Sequence, residues 1–351
     1  MAESNSRRAV VLFNLGGPDS PDAVRPFLFN LFNDQAIIGA PAWIRWAIAA
    51  LISGRRAKTA RQIYGRIGGK SPLLELTRAQ AEALQKELAD EAGELRVFIA
   101  MRYWHPMTEE TVAAVRDFDP GEIFLLPLYP QYSTTTSASS LERWRICARK
   151  AGLTAPSHAV CCYPTLDGLI ESQARLLKRT LDGHPAGRPV RVLFSAHGLP
   201  KKIVDKGDPY QVQIELTAAA IADKAGLAED GWTICYQSRV GPLQWIGPSL
   251  DEALAVAARD GAGVAVLPIA FVSEHSETLV ELDIEYRGRA DRLGIDPYLR
   301  VPAVGADGQF IKGLAAIVRA GFATGRGIGP AGPDRICPPG RTACPCAPAK
   351  R

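Results

Sequence analysis

The sequence predicts an α/β protein of two similar domains, each a parallel sheet with helices on both faces. Three observations support this prediction. The 351 residues correspond to about two domains at about 150 residues each. Short apolar runs of strand length alternate with segments of helical periodicity. These runs are apolar throughout rather than at alternate positions, which is typical of parallel strands covered on both faces.

Six apolar runs are predicted as strands, three in each half of the chain. They are residues 9–13, 96–100, 122–126, 190–194, 233–236 and 263–266. Helical spacing follows at residues 78–90, 109–117, 211–225 and 249–259. Because the two halves repeat this order, we expect domains at residues 1–155 and 156–310. A terminal helix and a cysteine-rich tail should then occupy residues 311–351.

Turn-forming or polar residues follow each predicted strand. In doubly wound sheets, ligands bind beyond the carboxyl ends of the strands. We therefore expect the active site in the cleft between the two domains, with residues contributed by both.

Composition and charge exclude several classes of protein. The chain is 47% hydrophobic and 22% charged, which is typical of a globular protein and not of a disordered one. A net charge of +4 does not favour nucleic-acid binding. The polar start lacks the apolar core of a secretory leader, so a cytoplasmic protein is expected. Seven cysteines, an odd number in a long chain, do not form the pattern of a disulfide framework.

One histidine lies at the predicted functional end of a strand. His197 directly follows the run at 190–194 within the segment Phe-Ser-Ala-His-Gly-Leu-Pro. Imidazole can accept a proton near neutral pH or ligate a transition metal. A purely structural histidine is the competing interpretation.

A cluster of acidic residues follows the last predicted strand. A helix beginning at Ser273 or Glu274 would align four carboxylates along one face and oppose them to apolar residues. No basic residue occurs between positions 274 and 285. A solvated charged face is the simple interpretation, and a path for divalent cations or protons is the functional one. The four carboxylates are Glu274, Glu277, Glu281 and Glu285.

Several aromatic residues and one arginine form a further set of candidate ligand contacts. Rings and an arginine near strand ends suit a flat apolar ligand with carboxylate arms, although core packing explains each ring individually. These residues are Tyr64, Arg102, Tyr103, Trp104, Tyr129, Tyr132 and Trp245.

Residues 42–61 combine tryptophans with a basic patch. An interfacial helix at anionic lipid, a lip of the ligand cleft and a dimer interface all explain this segment.

The last fifteen residues contain three cysteines, Cys337, Cys344 and Cys346, with the spacing C-x6-C-x-C. The surrounding Pro/Gly-rich segment cannot form a core of its own, so a metal is a reasonable organiser. Three thiolates need a fourth ligand for either an iron–sulfur cluster or a tetrahedral zinc site.

Taken together, the motifs resemble ferrochelatase over roughly residues 9–320. They are Asn-Leu-Gly-Gly-Pro at 14–18, Tyr-x-x-Ile-Gly-Gly at 64–69, Met-Arg-Tyr-Trp-His-Pro at 101–106, Pro-Gln-Tyr-Ser at 130–133, Phe-Ser-Ala-His-Gly-Leu-Pro at 194–200, Gly-Asp-Pro-Tyr at 207–210, Gln-Ser-Arg-Val-Gly-Pro at 237–242 and Glu-His-Ser-Glu-Thr-Leu-Val-Glu-Leu-Asp-Ile-Glu-Tyr at 274–286. The resemblance implies two Rossmann-like, chelatase-like domains with a porphyrin in the cleft between them. It also implies insertion of Fe²⁺ into protoporphyrin IX, with release of two protons, as the terminal step of haem synthesis.

Three other activities remain as alternatives. They are iron insertion into coproporphyrin III, cobalt insertion into a sirohydrochlorin-like tetrapyrrole, and non-enzymatic haem binding or transfer with a redox-sensing cluster. The complete motif set argues against the cobalt reaction. The sequence leaves a monomer and a homodimer open, and it leaves open a peripheral position at the inner membrane through residues 42–61.

The resemblance also implies roles for individual residues. His197 would accept protons with Glu277 as its partner, and a π-helix would carry the acidic path formed by Glu274, His275, Glu277, Glu281 and Glu285. The porphyrin contacts would be Leu15, Tyr64, Arg102, Tyr103, Tyr129 and Trp245. Leu15 stands where some relatives have methionine or tyrosine, which bears on substrate choice.

Some bacterial ferrochelatases hold a 2Fe–2S cluster with this arrangement of C-terminal cysteines and a fourth cysteine from mid-chain. Thr134 stands where the animal type has its fourth ligand, so Cys162 or Cys161 is expected to serve here, with Cys162 preferred. Since the two are adjacent on a predicted strand, only one should face the cluster. Cys147 and Cys235 are expected to be buried thiols.

Overall fold

The computed structural model describes residues 6–91, 93–184, 189–239, 241–325, 327–332 and 334–346. The chain forms two compact units. Unit 1 comprises Met1–Cys162 and Leu314–Ala331, and unit 2 comprises Tyr163–Gly313 and Gly332–Arg351. The boundary lies beyond residue 155 because a short strand at Ser157–Val160 pairs with the first sheet. Residues 311–351, expected as one terminal segment, are divided between the units.

Unit 1 contains a five-stranded sheet in which all neighbouring strands are parallel. The sheet order is β2-β1-β3-β4-β9, and β1 is buried along its length except at its first residue, as a central strand should be. The strands are β1 (Arg8–Asn14), β2 (Leu95–Met101), β3 (Glu122–Pro127), β4 (Ser157–Val160) and β9 (Ile328–Gly329).

Five helices lie between the strands of unit 1. They are α1 (Val24–Phe32), α2 (Ala42–Gly65), α3 (Leu73–Glu87), α4 (Thr108–Phe118) and α5 (Ser137–Lys150). Helix α3 begins directly after Pro72, earlier than the predicted start at residue 78. Helix α4 agrees with the predicted segment 109–117 to within one residue.

Unit 2 repeats the arrangement in a four-stranded parallel sheet of order β6-β5-β7-β8. In both units the first strand in the chain is central, the second lies on one side, and the third and fourth lie on the other. This shared order confirms two similar doubly wound sheets. The strands are β5 (Val190–His197), β6 (Trp232–Gln237), β7 (Gly263–Pro268) and β8 (Tyr298–Arg300).

The helices of unit 2 include one π-helix, at Glu277–Tyr286. The α-helices are α6 (Asp167–Asp182), α7 (Lys201–Asp205), α8 (Tyr210–Ala225), α9 (Leu250–Arg259), α10 (Arg287–Arg292) and α11 (Gly308–Thr324), the last of which crosses the unit boundary. Helix α9 starts where a capping box predicts, since Ser249 accepts from Glu252 N–H and the Glu252 carboxylate accepts from Ser249 N–H.

All six predicted strands are present, whereas β4, β8 and β9 were not delimited from the sequence. Those three strands span only two to four residues, too few for a periodic pattern to register.

Candidate active site

His197 is the last residue of β5 and pairs in register with Gln237, the last residue of β6. The adjacent Gly198 is required by close packing, since a Cβ there would lie 3.0 Å from the Gln237 carbonyl oxygen. The His197 side chain remains 40% exposed, so the ring is accessible at the end of the strand. This is the position that parallel-sheet geometry favours for a functional residue.

The two ring nitrogens of His197 have different surroundings. Nδ1 lies 2.6 Å from the Gly198 carbonyl oxygen, which can only accept, so Nδ1 carries the hydrogen in this contact. Nε2 lies 3.6 Å from Glu277 Oε1. The backbone therefore selects the tautomer whose Nε2 lone pair can accept a proton, next to a carboxylate that stabilises the resulting cation.

Glu277 is the first residue of the π-helix and contacts two histidines. Its Oε2 lies 3.3 Å from His275 Nε2, while its Oε1 faces His197. Burial acts to raise the pKa of Glu277, but the neighbouring His197 and His275 outweigh it and lower the pKa to about 2. Glu277 is therefore ionised throughout the physiological range.

Glu281 has the opposite character. Burial and the nearby charge of Glu277 raise its pKa above the usual value, despite hydrogen bonds that favour the charged form. Ser238 donates from its backbone N–H to Oε1 at 2.8 Å and from its hydroxyl to Oε2 at 2.5 Å, and Gln237 Nε2 donates to Oε2 at 3.1 Å. Two carboxylates with pKa values driven apart can serve as ionised and protonated partners in proton transfer.

Sequence reasoning missed the residues that orient Glu281. Ser195 Oγ donates to Gln237 Oε1 at 2.7 Å, which leaves the Gln237 amide nitrogen directed to Glu281 and to the Glu277 carbonyl oxygen. The three supporting residues are Ser195, Gln237 and Ser238. All of them occur in the strand-end motifs of the sequence, which was the available signal. Their partners are 40 or more positions away along the chain, so the contacts themselves had no local signature.

The acidic stretch differs from the predicted helix face in one respect. Glu274 precedes the π-helix and forms an ion pair with Arg300 of β8, which also binds Asp283 through Nε at 2.8 Å and Nη2 at 2.9 Å. The prediction that Glu274 is unpaired and helical is therefore wrong, because its counter-ion comes from a distant strand. Glu285 is exposed at the far end of the helix.

Trp245 lies beside Gly198, the residue that follows His197. A Cβ on Gly198 would lie 3.2 Å from the Trp245 ring, and Pro200 forms an isolated bridge with Trp245. Unit 2 thus brings together the predicted residues His197, His275, Glu277, Glu281 and Trp245.

Unit 1 assembles the other predicted ligand contacts at the ends of β1, β2 and β3. Arg102 N–H donates to the Asn14 carbonyl oxygen at 2.9 Å and Tyr103 N–H to the Leu15 carbonyl oxygen at 3.0 Å. Tyr64 and Tyr103 are buried in one apolar cluster, against which Leu15 packs. Arg102 and Tyr129 are partly exposed, and burial raises the pKa of Tyr129.

The three tail cysteines converge in unit 2. Hydrogen bonds with Cys337 and Cys346 hold the pKa of Cys344 far below its usual range, at about 2. Gln213 Nε2 donates to Cys337 Sγ at 3.1 Å. Even so, the described part of the chain contains no group of three or more His, Cys, Asp or Glu side chains arranged to hold a metal ion. The donor chemistry of the three thiols is that of thiolate ligands.

Cys161 and Cys162 are both buried, with their sulfur atoms 3.6 Å apart. The prediction that they lie on a strand is wrong, because β4 ends at Val160, so strand alternation does not select one of them to face a cluster. Cys147 and Cys235 are buried as expected, and burial raises the pKa of Cys235 to about 12.

Helix α2 exposes two tryptophans, Trp43 at 76% and Trp46 at 58%, while Ala49, Ser53 and Ala57 face the interior. Among the residues that the structure describes, no helix is both long enough and apolar enough to span a bilayer.

Comparison with known proteins places the chain in a family. The ferrochelatase family model matches residues 7–321. A ferrochelatase of Phenylobacterium zucineum is 54% identical, covering 96% of this chain and 97% of its own. One of Caulobacter vibrioides is 52% identical with the same coverage. A solved structure of SirB from Bacillus subtilis with Fe3+ aligns with a TM-score of 0.53 at 12% identity, over 91% of this chain and 96% of its own, which supports the fold alone.

The family match and the full-length relatives agree with the two chelatase-like sheets and with the strand-end residues assembled in each unit. The chain belongs to the ferrochelatase family.

Proposed function

We propose that the protein is a protoporphyrin ferrochelatase, which inserts ferrous iron into protoporphyrin IX and releases two protons. The observation that carries the proposal is the pairing of His197 Nε2 with Glu277 Oε1 at 3.6 Å, at the open end of β5. Family membership and relatives named ferrochelatase over nearly the whole chain support the same reaction.

The reaction requires a base that takes protons from pyrrole nitrogens. His197 supplies this base, because its Nδ1–H is held by the Gly198 carbonyl and its Nε2 accepts. Glu277, a partly exposed carboxylate, stabilises the imidazolium as it forms. Ferrous iron is the second substrate and replaces the two departing protons, so the net charge of the macrocycle centre is conserved.

Protons leave His197 along the π-helix. Glu281 follows Glu277 by four residues, and its raised pKa favours uptake of a proton that Glu277, with its lowered pKa, cannot retain. Glu285 continues the same spacing to the exposed end of the helix. His275 keeps Glu277 ionised, whereas Glu274 serves the Arg300 ion pair and contributes less to the path.

Each unit offers aromatic and apolar side chains that suit a porphyrin. Trp245, next to Gly198, suits stacking on a flat ring, and the partly exposed Arg102 and Tyr129 suit the edge of that ring. Leu15, Tyr64 and Tyr103 are further proposed porphyrin contacts, and they lie in or against one apolar cluster of unit 1. Coproporphyrin III is the alternative substrate and is compared directly in the assays below.

The decisive variant is His197→Ala, assayed anaerobically with Fe²⁺ and protoporphyrin IX. We expect iron insertion to fall by at least about 10²-fold while porphyrin binding persists, because general-base catalysis contributes about 10²- to 10⁴-fold. His184→Ala is the matched control, since that histidine lies outside the proposed site and should leave turnover unchanged. Wild-type turnover in the His197 variant would refute the assigned role.

We further propose that Cys337, Cys344 and Cys346 bind a 2Fe–2S cluster with Cys162, or Cys161, as the fourth ligand. Convergence of the three tail thiols and the hydrogen bond from Gln213 support this ligand set. A bound cluster would cross-link the tail to the body of the chain. Iron and acid-labile sulfide should each be present at two per chain after anaerobic purification. Cys162→Ser and Cys161→Ser should separate the two candidates, and Cys147→Ser is the control; a colourless, sulfide-free wild type would exclude the cluster.

Finally, we propose a cytoplasmic protein that associates peripherally with anionic membranes through residues 42–61. The exposed Trp43 and Trp46 lie on the same helix as the exposed Arg55 and Lys58, a combination that suits an anionic lipid surface. Vesicles containing phosphatidylglycerol should sediment the wild type but not Trp43→Ser/Trp46→Ser. Leu243→Ser, an exposed apolar residue of unit 2, is the control. Loss of a dimer in the double variant, with no change in vesicle binding, would assign the helix to a homodimer interface instead.

A further inference from the structure

Asp34 lies in the turn after α1 and was not singled out by the sequence. Its side chain is only 6% exposed, and one oxygen, Oδ2, accepts three hydrogen bonds. The donors are Arg102 Nη2, the Tyr103 hydroxyl and the Ser139 hydroxyl, each at 2.7 Å. The other oxygen, Oδ1, accepts from Ala36 N–H at 2.9 Å, which fixes the carboxylate within its own turn.

These contacts hold the Arg102 guanidinium at two points. While Nη2 binds Asp34, Nε donates to Ser139 Oγ at 2.9 Å, and that same hydroxyl donates to Asp34. The three side chains form a closed triangle that joins the end of α1, the end of β2 and helix α5. Burial acts to raise the pKa of Asp34, but Arg102, Ser139 and Tyr103 outweigh it and keep the carboxylate ionised.

The pairing changes what Arg102 can offer a ligand. An unpaired guanidinium would attract the carboxylates of a ligand strongly. A guanidinium that is already paired with a buried carboxylate belongs to an ion pair with little net charge, so it attracts a further carboxylate weakly. Arg102 retains 17% exposure, so its edge is accessible while its charge is compensated. The exposed edge of this ion pair suits contact with the apolar periphery of a macrocycle better than contact with its carboxylate side chains.

We infer that Asp34 is a positioning and specificity-determining residue, which fixes Arg102 and cancels its charge so that the exposed edge of the ion pair favours tetrapyrroles with fewer carboxylates. The inference rests on the proposed function, because it takes Arg102 as a contact of the porphyrin. It assigns to Asp34 a discrimination between protoporphyrin IX, with two carboxylates, and coproporphyrin III, with four.

The test compares kcat/KM for the two porphyrins in Asp34→Asn, a variant of nearly the same shape that keeps an acceptor but loses the charge. The ratio of kcat/KM for coproporphyrin III over protoporphyrin IX should rise about five-fold, mainly through KM, as expected for one uncompensated surface-proximal charge. Added salt should diminish this rise. A merely structural role would lower both values together and leave their ratio unchanged.

Asp307→Asn is the matched control. Asp307 also accepts from an arginine, Arg175, from a serine hydroxyl, Ser172 at 2.6 Å, and from a nearby backbone N–H, that of Gln309 at 3.0 Å. It lies in unit 2 outside the proposed site, so its variant should leave the ratio unchanged.

A second pair of variants keeps the test decisive if Asp34→Asn folds poorly. Arg102→Gln leaves the Asp34 charge uncompensated and should shift the ratio in the opposite direction, and the double variant Asp34→Asn/Arg102→Gln should return it to within about two-fold of wild type. A ratio that stays at the wild-type value in both folded single variants would overturn the inference. Failure of the proposed function would be distinct: the wild type would form no haem, and the same ratio would then be read from porphyrin dissociation constants.

Discussion

Four of the five carboxylates at positions 274 to 285 form two groups with different partners. Glu274 and Asp283 share one ion-pair partner, Arg300, a permanent cation on β8. Glu277 and Glu281 instead face histidines and neutral donors, the latter from Ser238 and Gln237. An arginine partner keeps a carboxylate permanently ionised, because arginine does not lose its proton. A histidine or hydroxyl partner leaves a carboxylate able to exchange protons. The difference separates the part of the acidic segment that anchors the π-helix from the part suited to chemistry.

The largest expected effect is on Glu277. Glu277→Gln keeps the shape of the side chain but removes the charge that stabilises protonated His197. Iron insertion should fall about 10²- to 10⁴-fold, with a smaller change in porphyrin affinity. Anaerobic single-turnover haem formation measures the loss. A variant with wild-type turnover would remove the distinction between the two groups of carboxylates.

Arg300→Met should have the next largest effect, on stability rather than on chemistry. The substitution removes the counter-ion that Glu274 and Asp283 share. The Glu274 side chain is only 20% exposed and that of Asp283 only 28%. The free energy of unfolding should fall by about 2–3 kcal/mol, less than for a fully buried pair. Denaturant titration measures this free energy. The folded Arg300→Met protein should insert iron at least about ten-fold faster than the Glu277→Gln variant does. Equal loss of turnover in both variants would contradict the comparison.

The pH dependence of stability isolates the Glu277 interaction. Its pKa is about 2 in the folded chain against an ordinary value of 4.5, so its ionised form stabilises the fold above pH 4.5. That contribution is lost as the pH falls through 2. The difference in unfolding free energy between wild type and Glu277→Gln should therefore be about 2 kcal/mol at neutral pH, allowing for partial exposure, and should vanish towards pH 2. A difference that persists undiminished at pH 2 would contradict this assignment.

The smallest effect is expected for Ser238→Ala. This variant removes the 2.5 Å hydrogen bond to Glu281 but keeps the backbone N–H bond. The pKa of Glu281 should rise further, since the lost hydrogen bond favours the ionised form. Carboxyl carbon NMR titration would record the shift, with Ser172→Ala as the control outside the site. An unchanged or lower pKa would show that Ser238 does not tune Glu281.

Much of the fold and the centre of the site were predictable from local patterns. Continuous apolar runs located β1, β5 and β7, and the strand-end position of His197 followed from parallel-sheet geometry. The spacing of Glu277 and Glu281 indicated a shared helix face, and the resemblance supplied its π-helical form.

The remaining features depend on partners distant in sequence. Arg300 is 26 positions from Glu274, and Asp34 is 68 from Arg102, so neither pairing leaves a periodic trace in the sequence. The two adjacent sulfurs of Cys161 and Cys162 were misjudged for a different reason. Strand alternation was extended past Val160, where the ladder of β4 ends.

The most direct test of the proposed reaction is an anaerobic incubation of the wild type with Fe²⁺ and protoporphyrin IX in weak buffer, with haem absorbance and proton release recorded together. We expect that haem forms catalytically and that two protons appear for each porphyrin converted. Tight porphyrin binding without haem formation or proton release would contradict it.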